Sequence, residues 1–350
     1  MPATPYLRVD LARLRGNIRA AADLAANGGV GLRPHVKTHK CVEIARLQLA
    51  AGAVGISTAT LGEAETFVRH GFDDVFIAYP LWLDTTSAGR LTDLTGDARV
   101  AIGVDSVEGA ANAGRLLGGS AVELLVEVDC GHHRTGVPPE EVVAVATAAA
   151  RTGLSVRGVF TFPGHSYARG APAEAARDEA AALSRAAEEL TAAGLPPRVV
   201  SGGSTPSLAH SDLGVLTELR PGVYVFGDAQ QWELGVMPPS AVALTCRTSV
   251  VSHAGGRVVL DAGSKVLGAD RAAYATGYGR LPEHPEARIV MLSEHHAVVD
   301  LAGAALPPLG SRLDVVPNHV CNAVNLVDTL FAEESGELRA WPVAARGLNA

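Results

Sequence analysis

RVAIGVDSVEGAANAGRLLGGSAVELLVEVD, residues 99–129, contains the reading that decides the fold class. Its two ends, RVAIGVDS and VELLVEVD, are short apolar strand-like runs, and between them Ala, Leu and Arg recur at helical spacing. This is a βα unit followed by the next strand. The pattern repeats on both sides. GLRPHVKT (31–38), AVGIST (53–58), DVFIAYP (74–80), VRGVFTF (156–162), RVVSGGS (198–204) and RPGVYVFGD (220–228) bring the strands to eight. Most are followed by helical stretches such as residues 174–193. Eight strand–helix repeats predict a (β/α)8 TIM barrel. A doubly wound open sheet is the alternative, but no GxGxxG follows the first strand. After MPPS the pattern changes to β-branched runs split by Gly and Pro: AVALTCRTSVVSH, GRVVLDAGS, ARIVMLSEHHAVVD and SRLDVVPNHV. The boundary falls between Leu234 and Ala241, giving a barrel domain over 1–237 and a C-terminal β domain over 238–350.

The chain has 350 residues, 47% hydrophobic and 19% charged, with a net charge of −8. That is ample for a large core, and the negative balance argues against nucleic acid or an anionic membrane as the main partner. MPATPYLRVD shows no basic region followed by an apolar run, and no apolar stretch reaches the ~18 residues of a membrane span. A soluble, cytoplasmic protein is expected. Cys41, Cys130, Cys246 and Cys321 lie far apart without a CxxC pair, which suits free thiols or metal ligands better than disulfides. Cys41 and Cys246 read as small buried hydrophobes.

In a barrel, chemistry gathers at the C-terminal ends of the strands. Five polar clusters fall there: HVKTHK, EVDCGHHR, FPGHSY, SGGSTPS and LRPG. The chain holds three lysines, Lys37, Lys40 and Lys265. Lys37 falls at the end of the first strand, where burial and a neighbouring Arg33 or imidazole would lower its pKa and suit it to covalent work; the alternative is a solvated surface amine. Lys40, at a helix start, is expected to face solvent. SGGSTPS reads either as a phosphate cradle at a helix N-terminus, with Ser204 and Thr205 hydroxyls, or as a capped Gly-rich turn. Gly222 in RPGV would let a second loop approach the same anion. In PNHVCN, strand alternation would put His319 and Cys321 on one face, a soft pair suited to zinc; a buried Cys beside a satisfied His is the alternative. In CGHHR, Arg134 suits an anion or phenolate partner, while His132 and His133 line the rim.

RPHVKTHK, EVDCGHHRTGV, GHSY, SGGSTPS, ELRPGVYVFGD, DAGSKVLGAD, LSEHHA and PNHVCNAVNL, in this order over residues 4–330, resemble the D-serine dehydratase and D-threonine aldolase family. These are fold-type III pyridoxal phosphate (PLP) enzymes related to alanine racemase. The resemblance implies that Lys37 holds PLP covalently and that Arg134 contacts its ring oxygen. Ser204, Thr205, Gly222 and Val223 match phosphate contacts, and Arg220 and Tyr224 fall where the ring nitrogen is approached. Tyr167 is placed at the active site, and His319 and Cys321 match a catalytic divalent-metal pair, with Zn ahead of Mn, Co or Mg. His295 and Ala297 depart from the family's pattern, which bears on substrate choice. The implied activity is that of a lyase on a small D-β-hydroxy amino acid. Loss of water to a 2-oxo acid and ammonia is favoured over retro-aldol cleavage to glycine and an aldehyde, because of the cysteine and GHSY. A racemase, with Tyr274 or Tyr278 as the second acid–base, and a non-catalytic PLP carrier are further readings. A homodimer is expected by analogy.

Overall fold

A computed structural model describes residues 2–350. It divides into two compact units: Ala21–Lys37 with Gln48–Gly222 and Leu348–Ala350, and the residues up to Ala20 with Thr38–Leu47 and Val223–Gly347. Strand β1 (Tyr6–Asp10) belongs to the second unit.

The first unit contains β2 (Gly31–Leu32), β3 (Ile56–Thr58), β4 (Asp74–Pro80), β5 (Arg99–Val104), β6 (Glu123–Glu127), β7 (Ser155–Phe160), β8 (Val199–Gly202) and β9 (Glu218–Leu219). All neighbours are parallel, in the order β2-β9-β8-β7-β6-β5-β4-β3. The two ends of that path meet. His35, just beyond β2, bridges Ser57 of β3, the Ser57 N–H donates to the Pro34 carbonyl at 2.8 Å, and the Val54 N–H donates to Leu32 at 2.9 Å. The sheet closes on itself, as the eight repeats predict. The first strand is shorter than the sequence suggests, and the eighth lies just before the RPGVYVFGD run expected to form it. After Leu32 the residues Val36–Thr38 form a 3-10 turn, and β9 ends before Arg220, so RPGVYVFGD is a loop leading to a 3-10 turn at Val223–Val225. Pro34 and Pro221 offer no N–H to a ladder, which limits pairing at both places.

Phe76, Ala101, Leu125 and Phe160 form one layer of the barrel interior, with the Phe76 and Phe160 rings edge to face at 5.0 Å. Gly103 makes that possible: a Cβ there would stand 2.7 Å from the Phe160 ring and 2.8 Å from the Tyr79 carbonyl. The floor is charged. Arg33, only 1% exposed, donates to Glu218 at 2.6 Å and Asp74 at 2.8 Å, and Arg157 stands 3.6 Å from Asp74. Arg33 is thereby engaged in ion pairs at the end of the barrel opposite the strand C-termini, away from the neighbour role expected for it beside Lys37.

The second unit is mostly antiparallel: β10 (Leu244–Ser252), β11 (Val258–Leu260), β12 (Gly279–Arg280), β13 (Arg288–Leu292), β14 (Ala297–Asp300), β15 (Arg312–Pro317), β16 (Thr329–Glu334) and β17 (Glu337–Pro342) join β1 in a nine-stranded sheet. β1 pairs antiparallel with β10 and parallel with β16. Leu7 and Val9 point into the core at 0% exposure, while Arg8 reaches Asp314 at 2.7 Å and Glu333 at 2.5 Å. A single cut at 237/238 therefore does not separate the sheets, because YLRVD finds its partners more than two hundred residues away. ARIVMLSEHHAVVD is two strands, β13 and β14, joined where the Ser293 N–H donates to the His296 carbonyl at 2.8 Å. Among the described residues, no helix is long and apolar enough to cross a membrane.

Candidate active site and metal pair

Lys37 sits on the 3-10 turn after β2, half-buried, with Nζ 5.8 Å from the centre of the Phe162 ring. The Arg134 guanidinium lies 5.1 Å from the same ring, the Tyr167 ring 6.2 Å away, and the His132 ring 5.7 Å away and edge-on. Phe162 is thus the shared wall of Lys37, Arg134 and Tyr167, and its aromatic face attracts both cations. Phe162 has no motif of its own in FPGHSY; the available signal is an aromatic residue at the end of the sixth barrel-strand run. His133, by contrast, is 80% exposed on the rim and paired with Asp129 at 2.6 Å.

Ser204 and Thr205, 2% and 4% exposed, lie in the loop after β8. The Ser204 hydroxyl hydrogen-bonds the hydroxyls of Ser166 and Ser207, each at 2.8 Å. Only a 3-10 turn, Leu208–His210, follows, so the expected helix N-terminus is absent: an anion here would be held by loop N–H and hydroxyl groups without a helix dipole. Gly222 follows Pro221, whose carbonyl accepts the His35 N–H at 3.0 Å. Arg220 is buried in the barrel wall. Its Nε donates to Ser201 at 2.8 Å, its Nη2 to the Thr161 carbonyl, and the guanidinium covers Phe76 and Phe160 at 5.5 and 5.3 Å. Burial pulls its pKa down against the opposing pull of Glu218, Glu127 and Glu179.

In the second unit, Val223 and Tyr224 share the 3-10 turn Val223–Val225 and are 5% and 4% exposed. The strand expected to carry the metal pair ends at Pro317. His319 is the N-cap of a helix, Val320–Asn325, that contains Cys321, so the shared-face argument from strand alternation does not apply. The two side chains meet all the same and are hydrogen-bonded to each other. The helix starts here because Asp228, fully buried, accepts the Val320 N–H at 3.2 Å and the Gln231 N–H at 2.9 Å, capping two helices with one carboxylate. Asp270, in the DAGSKVLGAD segment, accepts from His319 Nδ1 at 2.6 Å, and the Cys321 thiol contacts the Thr38 hydroxyl at 3.4 Å. The motifs give neither Asp228 nor Asp270 a role at this pair, because their contacts with Val320 and His319 span 92 and 49 positions of the chain.

The electrostatics favour a cation. Burial works against a charged His319, but Cys321, Asp270 and Asp228 outweigh it and push the imidazole up to about 11. Burial raises the Asp270 carboxyl and His319 more than cancels this, leaving it below the usual carboxylate range. Burial pushes Asp228 up to about 6. Among the described residues no group of three or more His, Cys, Asp or Glu forms a closed metal site, so His319 and Cys321 stand as a pair. The other cysteines are free and buried, as the small-hydrophobe reading of Cys41 and Cys246 expects. Lys40 departs from expectation. It is 5% exposed, adopts φ 48°, and donates to Asn325 at 2.8 Å, because its backbone carbonyl also takes the Ala345 N–H and holds it inward. Lys265 pairs with Glu294 at the surface.

The model of the alanine racemase N-terminal domain matches residues 9–230, and that of the "Putative serine dehydratase domain" matches residues 243–332. The D-threo-3-hydroxyaspartate dehydratase of Delftia sp. HT23 is 36% identical over 348 residues, covering 91% of this chain and 90% of that one. The D-threonine aldolase of Arthrobacter sp. is 32% identical over 360 residues, covering 99% and 93%. Structures of the Delftia dehydratase superimpose with TM-scores of 0.91 over 98% of this chain; one is a cysteine-to-alanine mutant in the metal-free form (32% identity, 97% of that chain), another a histidine-to-alanine mutant (33%, 95%).

Proposed function

The chain belongs to the family that joins an alanine racemase N-terminal domain to a serine dehydratase domain, and on that premise we propose that it is a PLP- and divalent-metal-dependent lyase of D-β-hydroxy-α-amino acids. The reaction we favour is a D-serine dehydratase-like loss of water to a 2-oxo acid and ammonia. The observation that carries the reading is the arrangement at the barrel mouth: an amine on a 3-10 turn and a guanidinium, both facing the Phe162 ring.

The residues fit the cofactor. Lys37 would hold it covalently, Arg134 its ring oxygen, and Ser204, Thr205, Gly222 and Val223 its phosphate, with Arg220 and Tyr224 as candidates for the ring-nitrogen side. Bound PLP supplies an electron sink for negative charge at Cα. His319 and Cys321 fit a soft divalent cation, zinc ahead of manganese, and two protein donors leave coordination positions open. Support comes from the Delftia dehydratase, whose mutated histidine and cysteine lie two residues apart, the spacing of His319 and Cys321. The metal supplies Lewis acidity toward a β-hydroxyl.

The chain's own side chains prepare both partners. Asp270 takes the Nδ1 proton of His319 in a hydrogen bond, which fixes the ring's tautomer and leaves Nε2 for a metal. Asp228 pins the start of the helix that carries Cys321. Phe162 presents its ring to the Lys37 amine at 5.8 Å, an aromatic face that attracts a cation. Tyr167, against the same ring, is the candidate for holding or moving a proton near the substrate.

Retro-aldol cleavage is the second reading, favoured by the aldolase match over 99% of the chain. The deciding experiment supplies D-serine, D-threonine and D-3-hydroxyaspartate with zinc or manganese and reads oxo acid and aldehyde separately. Oxo acid with ammonia supports elimination; glycine with an aldehyde overturns it in favour of the aldolase. Full turnover after exhaustive chelation would refute the metal's role. We infer a cytoplasmic homodimer by family analogy, which sedimentation would check.

A further inference from the structure

We propose that Glu179 is a positioning residue for a phosphate-bearing ligand: its buried carboxyl holds the Gly202–Ser204 turn in the shape that presents Ser204 and Thr205 to the anion. The inference rests on the PLP reading above and adds a residue that the reading does not use.

The placement of Glu179 needs a reason. The helix Pro172–Ala192 packs its stripe of Ala176, Leu183, Ala186 and Leu190 inward, and Glu179 falls on that same stripe at 0% exposure. A carboxyl buried among apolar positions costs stability unless it is used. Here Oε1 accepts the Gly203 N–H at 2.6 Å. That bond turns one N–H of the loop inward, at a residue with φ +86°, a conformation that favours glycine. The neighbour, Gly202, is shaped by the same contact: a Cβ there would lie 2.4 Å from Oε1. Gly202 has ordinary φ, so its lack of a side chain follows from close approach, foremost of the carboxyl and then of a Leu216 methyl, which would stand 3.0 Å from the same Cβ.

The consequence falls on Ser204. Next to the tied-back Gly203, Ser204 bonds the hydroxyls of Ser166 and Ser207, a buried serine cluster that fixes the loop from the inside. The other carboxyl oxygen, Oε2, makes no hydrogen bond in the structure. Burial pushes the carboxyl up to about 7, against the Gly203 N–H and Arg220. A carboxyl that can be uncharged near neutrality hooks the loop from behind without repelling an anion in front of it.

The test compares two ligands on the full chain: PLP, and pyridoxal, which lacks the phosphate. Dissociation constants are read from visible absorbance. Glu179→Leu removes the hook and is expected to weaken PLP about 10-fold, the scale of one lost hydrogen bond, while leaving pyridoxal unchanged. Glu179→Gln keeps the acceptor and is expected to stay within about 2-fold for both. Gly202→Ala, which pushes the carboxyl away without touching Glu179, is expected to reproduce the leucine variant and serves if that variant does not fold. Equal loss for both ligands, or unchanged PLP affinity in Glu179→Leu and Gly202→Ala, overturns the proposal. If the unaltered chain binds neither ligand, the cofactor reading itself has failed, and the proposal with it.

Discussion

Replacing Asp270 with Asn tests the metal pair through its support. The Asp270 carboxylate meets His319 Nδ1 at 2.6 Å, a charge-assisted bond. Asn keeps an acceptor but removes the charge, and a charge-assisted bond is worth about twice a neutral one, a difference of about 1–2 kcal/mol. Both side chains keep about a third of their exposure, 35% and 34%, so solvent screening holds the effect toward the lower part of that range. The expected result is a zinc dissociation constant raised about 5-fold, equivalent to about 1 kcal/mol. Competition with a chromogenic chelator at fixed pH measures it, with His319→Ala as the variant that abolishes the site. An Asp270→Asn constant within about twofold of the unaltered chain, or unchanged affinity in His319→Ala, would refute the reasoning. The same cluster fixes a pH dependence. The His319 imidazole, pushed up to about 11, carries a proton near neutrality that the metal must displace, so zinc affinity rises as pH rises. In the metal-free chain the sign is opposite. The folded pKa lies above the unfolded one, so this group's stabilisation is complete below about pH 6.5 and is lost as pH climbs through about 11.

Arg33→Met leaves Glu218 buried without its partner and is expected to cost about 3–5 kcal/mol in urea unfolding, with much of it regained in Arg33→Met/Glu218→Gln; a loss under about 1 kcal/mol would refute the charged-floor reading. Borohydride reduction of the PLP-loaded chain should leave one adduct, on the Lys37 peptide, and none in Lys37→Ala; an adduct on Lys40 or Lys265 would count against the site. Glu179 has a folded pKa raised to about 7, so folding takes up a proton and stability falls as pH rises from about 4.5 to about 7, by up to roughly 3 kcal/mol. Melts of the unaltered chain and of Glu179→Gln at about pH 5 and about pH 8 should show the slope flattened in the variant; parallel slopes would exclude Glu179 as its source.

The sequence by itself determined the eight-strand barrel, the run of antiparallel strands after it and the segment, just past the first barrel strand, that carries Lys37. Each of these is written in local periodicity or in short motifs: apolar runs alternating with helical stretches, turn residues at their ends, and a rare amine at a strand terminus. Tertiary structure alone decided the rest. YLRVD joins the second sheet because Leu7 and Val9 find their core among strands far along the chain. Lys40 is buried although its surroundings read as a helix start, because Asn325 and Ala345 arrive from the other end of the chain. His319 and Cys321 come together at a helix start, where the sequence suggested strand alternation, because Asp228 caps that helix. Phe162, Asp270 and Glu179 meet Lys37, His319 and Gly203 across 24 to 125 positions of the chain, and local pattern has no term for a contact whose partner is fixed only by the closed fold.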